Sequence, residues 1–491
     1  MNKHLFILLV SLSISWCIHA QYRTGLSTSN YDGIQGIRYN PSKMVGGPIS
    51  WDYNLLSIGL FLDNNFATIP NNSIPSALGK TMIFTLTGIP RTNLNEFAYI
   101  VMNTDRKNNN FGTDIFIQGP AFSASTHDKS FAFFINTRIN ISLKNIDDDI
   151  ANYMASQFNL LTILNGINIE KMRINLMAWN EVGVSYGYTL MDESNLKITG
   201  AISPKLLISP FGTSLRINQL MLPKPDIDGD ETEEEYLDRA DVDLNLGLRN
   251  YQTILAGGGL TSLLLGGFGL GADAGITIQT SKLYQSRRNP SKQKYLWQAG
   301  VALIDFGGVI YPGGVQSNID SSRQVSKGVD DGGYQVLLDN IVSNKGVPAV
   351  ILPTAITSHI DLSLKDNFYL QSRLVLGTNL LPNQLRAPHS FTIAPRFESK
   401  LFDIAFPVTI HDFSKPRFGF NFRASFLTIG SDNLSNWFIP SSTISGTDFY
   451  IAMRLYKTKR YKKANTIFHR AMRKKKTKSA RKRFRMAAPK F

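Results

Sequence analysis

The chain has 491 residues, a formal net charge of +15 and one cysteine, Cys17. This length can bury a large core, and a single cysteine excludes both a disulfide framework and a metal site built from cysteines. The charge is concentrated at one end, because residues 457–491 contain sixteen Lys and Arg and no Asp or Glu. The chain is therefore a nearly neutral body with a basic C-terminal tail.

The first twenty residues have the pattern of a secretory signal peptide. Lys3 and His4 form a short polar start, residues 5–14 are apolar, and Ile-His-Ala at 18–20 forms a cleavage site. The apolar stretch is too short for a transmembrane anchor. We expect residues 1–20 to be removed before Gln21, which leaves an exported chain without cysteine.

Residues 21–48 are rich in Gly, Ser, Asn and Pro, which predicts irregular structure. From residue 49 to 456, apolar and polar residues alternate in short stretches, such as EVGVSYGYTL at 181–190 and RFGFNFRASF at 417–426. A period of two indicates strands with two different faces. The pattern predicts fourteen strands, near residues 49–61, 114–124, 129–142, 178–191, 195–209, 240–252, 268–280, 294–309, 357–364, 367–378, 388–399, 402–412, 415–429 and 447–456.

Two all-β architectures fit this alternation: a soluble sandwich and a transmembrane barrel. A sandwich usually needs fewer strands, and the apolar faces here are crowded with Phe and Tyr. Connections alternate between short turns, as at 125–128, and long segments, as at 62–113, which is typical of outer-membrane barrels. We therefore predict a transmembrane antiparallel β-barrel of about 14 strands, with both termini in the periplasm.

Two segments fit this arrangement less simply. On this strand count, the long segment 310–356 falls at the end of the short turns, so either it extends into the periplasm or a strand is misplaced. Residues 148–173 have a helical pattern and predict a helix within a loop.

No motif predicts an enzyme, a cofactor or a metal site. The uncharged stretch 254–272 is too rich in glycine for a membrane helix, and its G-x-G-x-x-A match at 267–272 runs into a strand rather than a helix. The acidic loop at 226–235 lacks the ligand spacing of a calcium loop. The histidines do not fall at metal-ligand spacing, so we expect no catalytic, cofactor-binding or metal-binding residues.

Charged residues on the polar faces of the strands are the main candidates for function. Arginine facing lipid at mid-membrane costs about 2–4 kcal/mol, so these side chains should point into the lumen. There they either line a solute path or hold a plug, or they form ion pairs that fill the lumen. The candidates are Arg138, Glu181, Asp243, Arg249, Asp273, Arg373, Arg417 and Arg423.

The basic tail, residues 457–491, predicts an anionic partner. Export argues against nucleic acid. The remaining partners are anionic lipid, the cell wall and an acidic periplasmic protein, and a solvated tail without a partner is the alternative.

Four stretches resemble a family of Bacteroidota-type outer-membrane β-barrel proteins whose domain has no assigned function. They lie at 36–66, 267–279, 295–312 and 351–370. That family is distantly similar to long-chain fatty-acid transporters of the outer membrane, in which an N-terminal hatch plugs a fourteen-stranded barrel. Asn40, Pro41 and Ser42 resemble the hatch motif of those transporters. The resemblance implies a plugged barrel, with residues 21–48 as the hatch.

Two functions follow as hypotheses. The first is a non-enzymatic barrel in outer-membrane lipid that binds or passes a small hydrophobic molecule through a plugged lumen. The second is a structural scaffold or anchor in a secretion, motility or cell-envelope assembly, in which the tail or the external loops bind the partner.

Overall fold

We describe the chain from a computed structural model. The described residues are 23–64, 67–68, 101–102, 109–146, 167–193, 196–222, 239–247, 266–281, 295–321, 345–365, 367–413, 415–434 and 447–459. Apart from three short 3-10 turns before residue 49, the regular structure within these ranges is β-strand. No helix in the described part of the chain is long and apolar enough to cross a membrane.

Fourteen strands, several of them interrupted, make up the main sheet. In chain order they are β1 (Ile49–Asn64), β2 (Asn109–Gln118 and Ala121–Ser125), β3 (Lys129–Ile146), β4 (Ile167–Asp192), β5 (Leu196–Leu222), β6 (Arg239–Gly247 and Gly267–Ser281), β7 (Tyr295–Ile310 and Gly314–Ser321), β8 (Lys345–Gly346, Ala349–Ile351 and Ala355–Lys365), β9 (Phe368–Gly377), β10 (Ser390–Glu398), β11 (Phe402–Ala405 and Val408–His411), β12 (Lys415–Phe418 and Phe420–Ala424), β13 (Leu427–Ser431) and β14 (Thr447–Thr458). A separate two-stranded pair joins Ala67–Thr68 to Val101–Met102.

Every strand is antiparallel to the next, and the sheet closes on itself. β1 pairs with β2 on one side and with β14 on the other, where Ile49 lies opposite Thr458. The ring therefore has no open edge, which a sheet in lipid requires because every backbone polar group must be paired. The predicted all-β, fourteen-stranded barrel is confirmed.

Two of the predicted strand boundaries are wrong, and the errors cancel in the count. Residues 240–252 and 268–280 were predicted as separate strands, but both pieces of β6 pair with β5, with Gly247 opposite Gly212 and Gly267 opposite Ser209. They are one strand interrupted at 248–265. Conversely, residues 415–429 contain two strands, because a tight turn at 425–426 reverses the chain between β12 and β13.

The revised boundaries also move the segment 310–356. Its outer parts belong to β7 and β8. Since β6 is one strand, the remaining connection, 322–344, leaves the ring at the same end as 65–108 and 147–166 rather than at the end of the short turns. Of the two alternatives that the sequence left open for this segment, a misplaced strand is therefore the correct one.

The predicted loop helix at 148–173 is wrong at its C-terminal end, where residues 167–173 are the start of β4. Residues 147–166 lie outside the described residues. The acidic loop at 226–235 and most of the glycine-rich stretch 254–272 also lie outside them, while Gly267–Ser281 is a strand, as the alternation predicted.

The two faces of the wall differ in polarity. Along β4, the apolar side chains of Val184, Tyr186, Tyr188 and Leu190 are 42–62% exposed on the outside, while Ser185 is buried on the inside. The other strands repeat this pattern, so large apolar side chains cover the outer wall and polar side chains fill the interior. An exposed apolar surface of this extent indicates a wall that faces lipid.

Candidate functional site in the barrel lumen

Residues 23–48 lie inside the ring of strands. Nearly all of them are buried. Arg23 donates from Nη2 to the carbonyl of Gly59 on β1 at 2.6 Å, and the backbone N–H of Asn30 donates to Glu398 on β10 at 3.0 Å. Because these strands lie in different parts of the ring, only a segment within the lumen can contact both.

The segment is held in shape by its own contacts. Its three 3-10 turns are Thr24–Leu26, Gly33–Arg38 and Pro41–Met44. The ammonium group of Lys43 donates to the carbonyls of Ser27 and Ser29 at 2.8 and 3.1 Å and to the carboxylate of Asp32 at 2.6 Å. Burial raises the pKa of Asp32, and the charge of Lys43 opposes that rise. One buried cation therefore ties three points of an otherwise irregular chain together.

The Asn40-Pro41-Ser42 motif binds the wall at β6 and β7. Asn40 Oδ1 accepts from the backbone N–H and the hydroxyl of Ser42 at 3.0 and 2.6 Å, and its Nδ2 donates to Thr277 Oγ1 at 3.2 Å. A Cβ atom at Gly275 would clash with the Asn40 side chain, and one at Gly300 would lie 2.7 Å from its Nδ2. Two glycines on neighbouring strands thus form a socket for this asparagine.

A second anchor joins the segment to β1 and β14. Arg454 Nη1 donates to the carbonyl of Asp32 at 2.6 Å and to Asp52 at 2.9 Å, and its Nη2 donates to the carbonyl of Tyr31 at 2.8 Å. Asp52 also accepts from the backbone N–H of Ile34 at 2.8 Å. This buried ion pair forms hydrogen bonds with three backbone groups of the segment. Buried backbone groups outside regular strands need such partners.

Five buried charges on β3 to β7 form one network on the inner wall. Asp305 accepts from Arg138 and from Lys205, each at 2.8 Å. Arg138 also pairs with Glu181 at 3.0 Å, and Lys205 pairs with Asp273 at 2.7 Å. Each charge has a partner within hydrogen-bonding distance, so the network links five strands across the inside of the wall.

The structure brings three of the predicted residues, Arg138, Glu181 and Asp273, into this network. Arg373 donates to a backbone carbonyl of the N-terminal segment at 3.0 Å. Arg423 binds a carboxylate of β11 at 2.6 Å and stands 5.2 Å from the ring centroid of a tyrosine in the segment.

The other three predicted residues lie elsewhere. Arg417 pairs with a carboxylate of β1 at 3.3 Å. Asp243 is half-buried, 4.0 Å from an arginine of β5 and near the end of the long connections. Arg249 lies outside the described residues.

Sequence reasoning missed four central residues: Asp52, Lys205, Asp305 and Arg454. Asp52 and Arg454 do fall on the polar parity of their strands, between apolar neighbours, so the rule that selected the other charges also fits them. Asp305 does not follow the alternation, because it adopts a left-handed conformation with φ 53° at an irregularity between β6 and β7. Asp and Asn tolerate that conformation better than most residues.

A cavity remains between the N-terminal segment and the wall at β2 and β3. Leu26, Ile37, Phe116 and Phe134 give it apolar sides. Gln118 also lines it, and its side-chain oxygen finds no partner among the described residues. Much of the remaining lining is charged, including Arg23, Arg38, Arg138 and Glu181, and the cavity volume is about 30 Å³, which is room for little more than water. A small molecule with an apolar body would therefore fit only where the segment moves away from the wall.

A second element enters the lumen from the end of the long connections. Residues 378–389, which join β9 to β10, turn inward, and the backbone N–H of Leu385 donates to the carbonyl of Ile351 at 2.8 Å. On another part of the wall, Asn175 of β4 donates to the carbonyl of Gln384 at 3.2 Å. The lumen is therefore narrowed at two levels, by this connection and by the N-terminal segment.

One group of potential metal ligands occurs among the described residues. It lies at the end of the barrel where short turns such as 126–128 join the strands, which we call the rim of the short turns. His127, Asp128 and Asp192 place their ligand atoms within 4.8 Å of one another, and all three are exposed. A hydrogen bond from His127 lowers the pKa of Asp128. Lys197 donates to the backbone carbonyl of His127 at 2.6 Å, which brings a positive charge close to this group.

Comparisons with known proteins concern the fold. One family model matches residues 58–432, and its description is a family of unknown function, DUF5723. A comparison with curated proteins gives no match.

Three solved structures illustrate the similarity. A deltaS2 mutant of the monoaromatic hydrocarbon channel TodX, a Pseudomonas putida protein, is 9% identical with a TM-score of 0.36, covering 86% of this chain and 93% of that one. A Pseudomonas aeruginosa FadL homologue is 8% identical with a TM-score of 0.31, covering 84% and 91%. The translocator domain of the autotransporter NalP from Neisseria meningitidis is 7% identical with a TM-score of 0.30, covering 88% and 98%.

Proposed function

The chain belongs to the DUF5723 family, and we propose that it is a non-enzymatic outer-membrane barrel in which residues 21–48 form a plug. The buried contacts of the described part of this segment, 23–48, support the plug, because they join it to strands all round the lumen. Residues 1–20 would be removed on export.

The proposed orientation places the short turns and both ends of the barrel in the periplasm. The pairing of Ile49 with Thr458 brings the last residues of the plug and the first residues of the basic tail to the same rim as the short turns. Long connections on the outer side and short turns on the inner side are the usual arrangement of such barrels.

We propose further that a small hydrophobic molecule binds, or passes, between the plug and the wall. The observation that carries this proposal is the apolar side that Leu26, Ile37, Phe116 and Phe134 give to the small cavity beside the plug. Displacement of the plug would enlarge this cavity enough for a small molecule and open it toward the periplasm. The network around Asp305 borders the same cavity and would keep the wall rigid while the plug moves.

Filling this cavity tests the solute proposal. In the variant Leu26→Trp, the larger side chain should reduce uptake of the hydrophobic dye N-phenylnaphthylamine about tenfold, since a small change of fit in an apolar pocket is worth about 10–200-fold. Uptake is measured into outer-membrane vesicles, because their lipopolysaccharide leaflet keeps the dye from entering the lipid directly. Val184→Trp adds the same side chain on the outer wall and should leave uptake unchanged. Both variants must retain the heat-dependent gel mobility of a folded barrel. A folded Leu26→Trp variant with unchanged uptake would remove the support for the solute.

A scaffold is the second candidate function, and two observations favour it. The lumen is narrowed at two levels, and the tail carries sixteen basic residues without an acidic one. Deleting residues 457–491 separates the two functions. Under the solute proposal dye uptake persists, whereas a scaffold would lose a partner that co-purifies with the full chain.

A further inference from the structure

The outer wall carries an apolar groove at the rim of the short turns. Trp51, Tyr53 and Phe122 line it and are 37–40% exposed. The small side chain of Ala124 lies opposite Trp51 in the pairing of β1 with β2, which leaves space between the aromatic rings. Aromatic side chains at this position are typical of the level where lipid tails meet headgroups.

Two lysines lie at this rim, one beside the groove and one on the lumen side. Lys457 of β14 is exposed and lies directly opposite Trp51 in the pairing of β1 with β14. Lys459 follows the end of β14, and its ammonium group donates to the carbonyl of Thr126 at 2.6 Å and to the hydroxyl of Ser125 at 3.2 Å. That hydroxyl in turn donates to the carbonyl of Met44 in the lumen at 2.8 Å, so the Lys459 ammonium lies on the lumen side of the wall. Apolar surface and positive charge therefore lie side by side at this rim. A ligand with an apolar tail and an anionic head would match both.

Positive charge at this rim extends beyond Lys457. Burial and the charge of Lys197 lower the pKa of Lys459 to about 8, and Asp128 opposes this. The amine stays mostly protonated at neutral pH and adds to the positive potential of the rim. In the sequence, residues 460–491 then add fourteen more Lys and Arg and no Asp or Glu.

We propose that this groove binds one anionic phospholipid of the adjacent leaflet, with its acyl chain against Trp51, Tyr53 and Phe122 and its phosphate beside Lys457. The lipid would fix the depth of the rim in the membrane and bring the basic tail to the surface of the same leaflet. This proposal rests on the proposed membrane orientation and is independent of the solute.

Native mass spectrometry of the full chain, titrated with phosphatidylglycerol or phosphatidylcholine in detergent, tests the proposal. Phosphatidylglycerol should bind more tightly. Lys457→Gln should weaken its binding about fivefold, because one cation near an anionic surface contributes that order of affinity. Lys459→Gln removes the same charge on the lumen side of the rim and should weaken binding less. Lys400→Gln changes an exposed lysine in another turn of the same rim and should have no effect. Trp51→Ala should weaken the binding of both lipids.

Three results would overturn the proposal. They are equal affinity for the two lipids, unchanged binding in Lys457→Gln, and loss of binding only when residues 460–491 are deleted. A cell-wall fragment or an acidic peptide that competes at Lys457 more strongly than phosphatidylglycerol would assign the surface to that partner instead. A chain that fails to insert into phospholipid vesicles would contradict the membrane orientation itself, which is a separate outcome.

Discussion

Replacing Asp305 by Asn should lower the free energy of unfolding of the barrel by about 3–5 kcal/mol, the usual effect of removing one partner from a buried ion pair. Asp305 is the shared acceptor of Arg138 and Lys205, and all three side chains are buried. The substitution keeps the size of the side chain, and Asn tolerates the left-handed backbone at this position as well as Asp does. Denaturant unfolding in vesicles measures the loss.

The matched control is Asp128→Asn, which neutralises an exposed carboxylate at the rim that bonds to His127. We expect no measurable change in its unfolding, because exposed ion pairs contribute little. An Asp305→Asn variant as stable as the parent chain would show that the network is not held by charge, and the account of the inner wall would fail.

Replacing Arg454 by Met should release the plug. The variant loses three hydrogen bonds, to the carbonyls of Tyr31 and Asp32 and to the carboxylate of Asp52. The carboxylate of Asp52 is then buried without its cation. We expect dye uptake into vesicles to rise and the free energy of unfolding to fall by about 3–5 kcal/mol. Uptake and denaturant unfolding, measured on the same preparation, check the two effects.

A double variant separates plug release from loss of folding. Arg454→Met with Asp52→Leu removes both charges, so it should regain part of the stability, while the plug still lacks its anchor and uptake stays high. Arg216→Met, at a half-buried arginine far from the plug, should leave uptake unchanged. If Arg454→Met stays folded and uptake does not rise, Arg454 does not hold the plug.

The fold was largely predictable because alternation reports the two faces of each strand directly. The faces of β4 follow the pattern in EVGVSYGYTL residue by residue. Strand boundaries were less predictable. Alternation continues through the turn at 425–426, where one strand ends and the next begins. It stops where β6 is interrupted, although both pieces of β6 pair with the same strand, β5. A local pattern cannot show which neighbour a strand pairs with.

The site was less predictable than the fold. Parity predicts that Arg138 and Glu181 face the lumen, but not that they meet Asp305 and Lys205, which come from strands far apart in the sequence. Likewise, the Asn-Pro-Ser motif pointed to residues 40–42, but the socket at Gly275 and Gly300 depends on the alignment of β6 with β7. Contacts across a lumen depend on the register of every strand that separates the two residues. The local pattern of one sequence does not determine that register.

The most direct test of the account is a disulfide between the plug and the wall. Cys17, the only cysteine, lies in the predicted signal peptide, so Ser42→Cys with Thr277→Cys would introduce the only pair, at hydroxyl positions that are 2.7 Å apart. We expect the two thiols to join in the folded barrel and the locked barrel to lose dye uptake until it is reduced. Two free thiols in a folded barrel, each open to labelling from the solvent, would contradict a plug inside the lumen.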